Sequence, residues 1–173
     1  MIEILWNGRG GQGAFTAAKI LGTAWSLKSN QSFALSFPSF GPERRGAPIR
    51  AFTKLANAPI TNRSEIQKSD CIVYLDDTLF DQSVLANLKP NGKIIVNTTR
   101  QYSDSCIITI DANSIAERIL HLPIVNTAML GALSVVCDDI TLPELEKAIM
   151  INMPKRLIKG NIKVLKEAKE AMV

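Results

Sequence analysis

Residues 2–13 read Ile2-Glu3-Ile4-Leu5-Trp6-Asn7-Gly8-Arg9-Gly10-Gly11-Gln12-Gly13, and this stretch decides the fold. The apolar run from Ile2 to Asn7 predicts a strand, and the apolar spacing of residues 14–27 predicts a helix. Gly8, Gly10 and Gly13 have the G-x-G-x-x-G spacing, in which bare backbone lets an anion approach the helix start. We therefore expect a phosphate-binding or partner-facing turn, with Arg9 adding charge. The alternative is that the glycines only permit close packing of helix and strand.

A dinucleotide-binding enzyme has a second requirement that this sequence lacks. An acidic residue about 20 positions beyond the turn normally holds the ribose hydroxyls. No Asp or Glu lies between Glu3 and Glu43. NAD is therefore the weaker interpretation, whereas Arg44 and Arg45 remain compatible with the 2′-phosphate of NADP.

Three separated motifs stand out along the chain. In chain order they are Ile4-Leu5-Trp6-Asn7-Gly8-Arg9-Gly10-Gly11-Gln12-Gly13, Phe40-Gly41-Pro42-Glu43-Arg44-Arg45-Gly46-Ala47-Pro48 and Asn126-Thr127-Ala128-Met129-Leu130-Gly131-Ala132. Together they resemble the gamma subunit of 2-oxoacid:ferredoxin (or flavodoxin) oxidoreductases. The resemblance covers nearly the whole chain, and the Pro-Glu-Arg-Arg-Gly-Ala-Pro motif is most similar to the pyruvate branch.

The resemblance implies a subunit of an oxidoreductase complex with alpha-, beta- and delta-type partners and ferredoxin or flavodoxin as electron acceptor. The family uses thiamine diphosphate, iron–sulfur clusters and coenzyme A, and this chain resembles the subunit that carries neither the thiamine nor the clusters. Its implied role is to complete the active site and to help receive coenzyme A, whose phosphates suit arginine-bearing loops. We assign the chain no catalytic residue and no metal ligand. The candidate binding residues are Gly8, Arg9, Gly10, Gly11, Gln12, Gly13, Glu43, Arg44, Arg45 and Asn126.

Two other functions stay open from the residues alone. The glycine spacing is compatible with a free-standing NADP-type Rossmann oxidoreductase, although no catalytic residue for one is visible. The chain is equally compatible with a non-catalytic scaffold subunit whose loops make only protein contacts.

Length and composition favour one cytoplasmic domain over residues 1–173. A chain of 173 residues that is 46% hydrophobic can bury a full core. No apolar stretch approaches the about 20 residues of a membrane span, and the N-terminus does not resemble a signal peptide. We therefore expect neither membrane insertion nor export.

The net charge of +4 does not indicate nucleic-acid binding. The excess comes from the tail, where basic residues from Lys155 to Lys169 alternate with apolar residues at helical spacing. Such a pattern is typical of an amphipathic helix with a solvated basic face.

The remaining chemistry-bearing residues favour structural roles. Cys71, Cys106 and Cys137 form no C-x-x-C pair, so we expect small buried hydrophobes rather than a cluster or zinc site. His121, the only histidine, lies between Leu120 and Leu122 and is interpreted as a packed or surface residue.

The order of the predicted elements indicates a three-layer Rossmann-like α/β fold with a mostly parallel, mixed central sheet. Residues 31–37 and 48–55 are joined too closely for a parallel crossover, so we expect an antiparallel pair. One acidic side chain of Asp76-Asp77-Thr78 is expected to cap the following helix, the alternative being that it faces the ligand crevice, and Asn126 or Thr127 is expected to cap the helix that ends at Val136. We expect the glycine turn, Asp76, Asn97 and Asn126 to meet at the carboxyl ends of the strands. The further strands are Asp70 to Leu75, Lys93 to Asn97 (after a turn at Pro90-Asn91-Gly92) and Ser105 to Ile110, and the further helices are Leu79 to Leu88, Asp111 to Leu120, Leu142 to Ile151 and Arg156 to Met172.

Overall fold

The computed structural model describes residues 1–39 and 46–172. These residues form β1 (Ile2–Arg9), α1 (Ala14–Ser26), β2 (Phe33–Pro38), β3 (Pro48–Ala56), β4 (Ser69–Tyr74), β5 (Leu88–Asn97), β6 (Ile107–Ile110), α2 (Ala112–Leu120), α3 (Asn126–Val136), α4 (Leu142–Asn152) and α5 (Lys155–Glu170).

The strands form one mixed sheet in the order β2-β3-β1-β4-β5-β6. β1, β4, β5 and β6 run parallel, whereas β3 is antiparallel to both β1 and β2. The mostly parallel α/β fold is confirmed, as are the antiparallel pairing of β2 with β3 and the interior position of β4. Because β1 lies between β3 and β4, the glycine turn that follows it lies at the middle of one sheet edge.

The sheet separates two apolar cores of unequal size. Side chains of β1 alternate between them, so that Ile4 and Trp6 lie in the larger core and Leu5 lies in the smaller. All the α-helices of the described chain contribute to the larger core. Connecting segments that supply Ile66 and Val84 cover the opposite face, which makes a thin third layer.

α3 is the buried helix of the larger core. Residues 126–134 are all buried because α3 packs between the sheet and α5. Thr127 Oγ1 donates a hydrogen bond to Asn161 Oδ1 at 2.8 Å, and one turn later Gly131 faces Leu165. A β-carbon on Gly131 would lie 2.3 Å from the Leu165 carbonyl oxygen, so only glycine permits this close approach. The second contact lies four residues further along both helices, so α3 and α5 run parallel.

Two predictions between β4 and β5 were wrong. The expected helix from Leu79 to Leu88 is instead two 3₁₀ helices, Asp77–Leu79 and Gln82–Asn87, separated by extended backbone at Phe80. The Phe80 ring packs edge-on against Tyr74 and Tyr102, which anchors the break. Pro90-Asn91-Gly92 does not separate β5 from the preceding segment but forms an irregularity within it, where the register with β4 shifts.

The predicted cap of α3 was also wrong. Val125 occupies the cap position and makes no side-chain cap bond. Asn126 is the first helical residue, and its Oδ1 accepts from Thr127 N at 2.9 Å. The amide therefore folds back on its own turn instead of preceding the helix.

Candidate functional site at the glycine turn

The glycine turn begins where β1 still pairs with β3. Arg9 lies opposite Pro48 at the end of the ladder. Beyond it, Gly10 N donates to Ala47 O at 2.9 Å, and Gly46 N donates to Gly10 O at 3.1 Å. The turn is therefore bonded to the two residues that precede β3.

The guanidinium of Arg9 donates hydrogen bonds to three groups of other segments of the chain. Its Nε donates to Asp76 Oδ2 at 3.1 Å, its Nη1 to Gly46 O at 3.1 Å and its Nη2 to Thr78 Oγ1 at 2.8 Å. The side chain is 35% exposed, so one face remains open to solvent. Arg9 connects the glycine turn to the ends of β4 and of the segment before β3.

Gln12 closes the turn from the other side. Its Oε1 accepts from Arg9 N at 2.7 Å, and its Nε2 donates to Asp76 Oδ2 at 3.1 Å. Gln12 N also donates to Arg9 O at 3.0 Å. Both side chains of the turn thus converge on one carboxylate oxygen of Asp76.

Asp76 combines the predicted capping role with these contacts. Its Oδ1 accepts from Thr78 N at 3.0 Å, which caps the first 3₁₀ helix. Burial opposes ionisation, but the hydrogen bonds from Thr78 and Gln12 and the charge of Arg9 outweigh it and lower the pKa of the carboxyl below its ordinary value. Asp76 is therefore an anion at neutral pH.

The N-termini of α1 and α3 meet at Gly13. Gly13 has φ +83° and precedes α1 without a side-chain cap, so the first N–H groups of α1 have no side-chain acceptor from this residue. Asn126 packs against Gly13, since a β-carbon on Gly13 would lie 2.5 Å from Asn126 Nδ2. The positive ends of these helix dipoles favour an anion at this edge of the sheet.

Asn126 supplies a buried amide at the same place. The residue is 4% exposed, and its Oδ1 is bonded to Thr127 N. Among the described residues its Nδ2 has no hydrogen-bond acceptor. A ligand oxygen that reached this nitrogen would accept a hydrogen bond that no described residue accepts.

Asn97 does not take part in the site as expected. Its Nδ2 donates to Leu75 O at 2.9 Å, and its Oδ1 accepts from Ala112 N at 3.0 Å. Both ends of the amide are therefore used to join the end of β5 to β4 and α2.

Asn7 is a polar residue that the sequence analysis did not single out. It lies in register with Arg50 and Tyr74, and its buried Nδ2 has no hydrogen-bond partner in the described part of the chain. In the sequence, the feature that could have identified Asn7 was a single amide side chain at the end of an otherwise apolar strand.

The remaining candidates lie elsewhere or outside the description. Glu43, Arg44 and Arg45 lie outside the described residues. His121 is exposed at the end of α2, and Cys71 is buried, whereas Cys106 and Cys137 are half-buried. Burial raises the pKa of the Cys137 thiol to about 11.

Within residues 1–39 and 46–172, no three His, Cys, Asp or Glu side chains cluster as metal ligands. No helix of the same residues is long and apolar enough to cross a bilayer.

Comparison with known proteins identifies similar chains over the full length. The sequence profile described as pyruvate ferredoxin/flavodoxin oxidoreductase matches residues 3–171. The chain is 40% identical to the pyruvate/ketoisovalerate oxidoreductases common subunit gamma of Thermococcus litoralis, over 100% of this chain and 98% of that one. It is also 40% identical to the pyruvate synthase subunit PorC of Methanocaldococcus jannaschii, with the same coverage.

A solved structure agrees with these relatives. The crystal structure of pyruvate oxidoreductase subunit PORC from Thermotoga maritima superposes with a TM-score of 0.84 at 31% identity. The match covers 98% of this chain and 96% of that one.

Proposed function

The chain belongs to the pyruvate ferredoxin/flavodoxin oxidoreductase family as a gamma-type chain, and we propose that its role in the complex is to receive coenzyme A. The 2-oxoacid is pyruvate or a close analogue. The complex works in the cytoplasm with alpha-, beta- and delta-type subunits and passes electrons to ferredoxin or flavodoxin. The chemistry of thiamine diphosphate and of the iron–sulfur clusters is supplied by the complex, and none of these groups is assigned to this chain alone.

The observation that carries the coenzyme A proposal is the contact between Gly13 and Asn126. It joins two helix N-termini, and the Nδ2 of Asn126 has no acceptor within the described residues. Coenzyme A carries three phosphate groups, and phosphate oxygens suit backbone N–H groups and a neutral amide donor at a helix start. The turn is bonded firmly enough to present these donors without rearrangement.

The relatives support a role that does not depend on the side chain of the 2-oxoacid substrate. One relative is named as a subunit common to pyruvate and ketoisovalerate oxidoreductases. Pyruvate and ketoisovalerate differ in their side chains, whereas coenzyme A is the acyl acceptor for both. A subunit shared between such enzymes is therefore better suited to binding coenzyme A than to recognising the side chain of the 2-oxoacid.

Within this proposal the candidate residues divide between two roles. Gly11 and Gly13 present backbone to the ligand, and Asn126 presents its side-chain nitrogen, whereas Gly10 fixes the turn through its backbone bonds to Gly46 and Ala47. Gly8 belongs to the backbone of the turn as well, since its own β-carbon position is crowded by Gln12 and Ala14. Arg9 and Gln12 hold the turn in shape through Asp76.

Glu43, Arg44 and Arg45 are proposed to face the same ligand or a neighbouring subunit. Loss of one member of a buried charged pair costs about 2–5 kcal/mol, so Arg44→Ala or Arg45→Ala should give a large defect. A raised KM for coenzyme A in a normally assembled complex would indicate the ligand role. Failure to assemble would indicate the interface role.

The subunit assignment is tested by affinity capture of the full-length chain from its native source. We expect other subunits to co-purify in fixed stoichiometry, together with 2-oxoacid- and coenzyme A-dependent dye reduction. A chain that is recovered alone and that binds NADP would favour the free-standing oxidoreductase. A complex that retains the activity after removal of this chain would favour the scaffold.

A further inference from the structure

Asp76 receives hydrogen bonds from two residues of the glycine turn, although it belongs to a different part of the chain. Arg9 and Gln12 both donate to its Oδ2, while its Oδ1 is used by Thr78. The Asp76 side chain is 16% exposed, so these bonds are partly shielded from water. A charged acceptor shared by two donors fixes both donors relative to the end of β4.

Asp81 shows that capping alone does not require this arrangement. It caps the second 3₁₀ helix in the same way, with its Oδ1 accepting from Ser83 N at 2.8 Å. None of its hydrogen bonds within the described chain reaches the glycine turn. The two aspartates therefore share one structural role and differ in the contacts with Arg9 and Gln12.

We propose that Asp76 is a positioning residue, which holds the glycine turn through Arg9 and Gln12 in the form that receives the phosphate groups of coenzyme A. This inference rests on the proposed function. The arrangement explains why Arg9 donates with all three nitrogens to the protein. Its charge is balanced by Asp76, and the turn presents backbone donors and the Asn126 amide to the ligand.

The test compares Asp76→Asn with Asp81→Asn in the assembled complex. Asparagine caps a short helix as well as aspartate does, so both variants keep the cap. Hydrogen bonds to a charged acceptor contribute enough that we expect Asp76→Asn to raise the KM for coenzyme A by roughly 10- to 100-fold. The KM for the 2-oxoacid and kcat at saturating coenzyme A should stay within about twofold, since neither involves the turn. Asp81→Asn should leave all three unchanged. Equal effects of the two variants on coenzyme A would overturn the positioning role.

A double variant separates positioning from general destabilisation. If Asp76 acts through Arg9, the defects of Arg9→Gln and Asp76→Asn should not add in the double variant. Additive defects contradict the inference. Asn126→Ser serves as the reference for the proposed function, because this residue does not contact Asp76. If Asn126→Ser raises the KM for coenzyme A and Asp76→Asn does not, only the positioning role fails. If neither does, the coenzyme A assignment fails as well.

Discussion

Asn126 Nδ2 lies 2.5 Å from the position that a β-carbon would occupy on Gly13. The contact brings the first residue of α3 against the residue that precedes α1, although the two are far apart in sequence. It depends on a positive φ at Gly13 and on a side chain of limited size at position 126. Changes on either side of the contact therefore have separable consequences.

Gly13→Ala should destabilise the chain for two reasons. Alanine at a left-handed φ costs about 1–2 kcal/mol, and its methyl group would also collide with Asn126. Urea unfolding of the full-length chain measures the sum. Adding Asn126→Gly should recover the part due to the collision but not the part due to φ. The measure is the cost of Gly13→Ala in each background, and an equal cost in wild type and in Asn126→Gly would show that the collision is not a source of the loss.

Gly131→Ala should reduce stability more than the same change at another helical glycine. The new methyl group would press on the Leu165 carbonyl oxygen, and such overpacking costs about 1–3 kcal/mol. The matched control is Gly160→Ala, where the methyl group would meet only the mobile end of the Leu120 side chain. There we expect a change within about 1 kcal/mol, because alanine favours the helix. A smaller loss at Gly131 than at Gly160 would contradict the close packing of α3 on α5.

Lowering the pH should remove the contribution that the ionised Asp111 makes to the free energy of unfolding. Hydrogen bonds from the side chain and backbone of Ser114 lower the pKa of this carboxyl, which caps α2. A depressed folded-state pKa gives stability above the unfolded pKa and loses it as pH falls through the folded value. Asp111→Asn keeps a capping group but cannot titrate. In urea unfolding, wild type should therefore gain stability relative to Asp111→Asn at neutral pH, and this gain should be lost as the pH falls below the ordinary aspartate pKa of about 3.9. A difference that is independent of pH would contradict this.

The isolated chain should be inactive in the reaction of the complex. The sequence offers no C-x-x-C pair for a cluster and no arrangement that completes a nucleophile with its base. Purified alone and supplied with thiamine diphosphate, pyruvate, coenzyme A and a viologen dye, it should reduce no dye. Robust reduction would contradict the subunit assignment.

The sequence predicted the sheet better than it predicted the connections. An apolar run such as Ile2 to Asn7 predicts where a strand lies, and the short link between β2 and β3 predicts that these strands are antiparallel. Both predictions agree with the observed sheet. The helix expected after Asp76 failed because Phe80 packs on Tyr74 and Tyr102, residues whose proximity arises only in the folded chain. The spacing of apolar residues along the sequence does not predict such long-range contacts.

The same limit applies to the site. The glycine spacing correctly indicated a turn between strand and helix, and the prediction that Asp76 and Asn126 approach it agrees with the geometry. The sequence could not show that Arg9 is bonded to Asp76, Thr78 and Gly46, because these partners belong to two other segments. Nothing in the sequence separates Asn97, whose amide is bonded at both ends, from Asn126, whose Nδ2 has no acceptor among the described residues.

Asn126→Asp is the most direct test of the central claim that this end of the molecule receives coenzyme A. The substitution is nearly isosteric and keeps an acceptor for Thr127 N, but it places a negative charge where a phosphate is proposed to bind. Like charges in contact cost several kcal/mol, so the KM for coenzyme A in the assembled complex should rise by at least about tenfold, with the KM for the 2-oxoacid unchanged. Asn113→Asp provides the matched control, since Asn113 lies in the first turn of α2 and is exposed. We predict a large increase for Asn126→Asp and none for Asn113→Asp. An unchanged KM for coenzyme A in a correctly assembled Asn126→Asp complex would contradict the account.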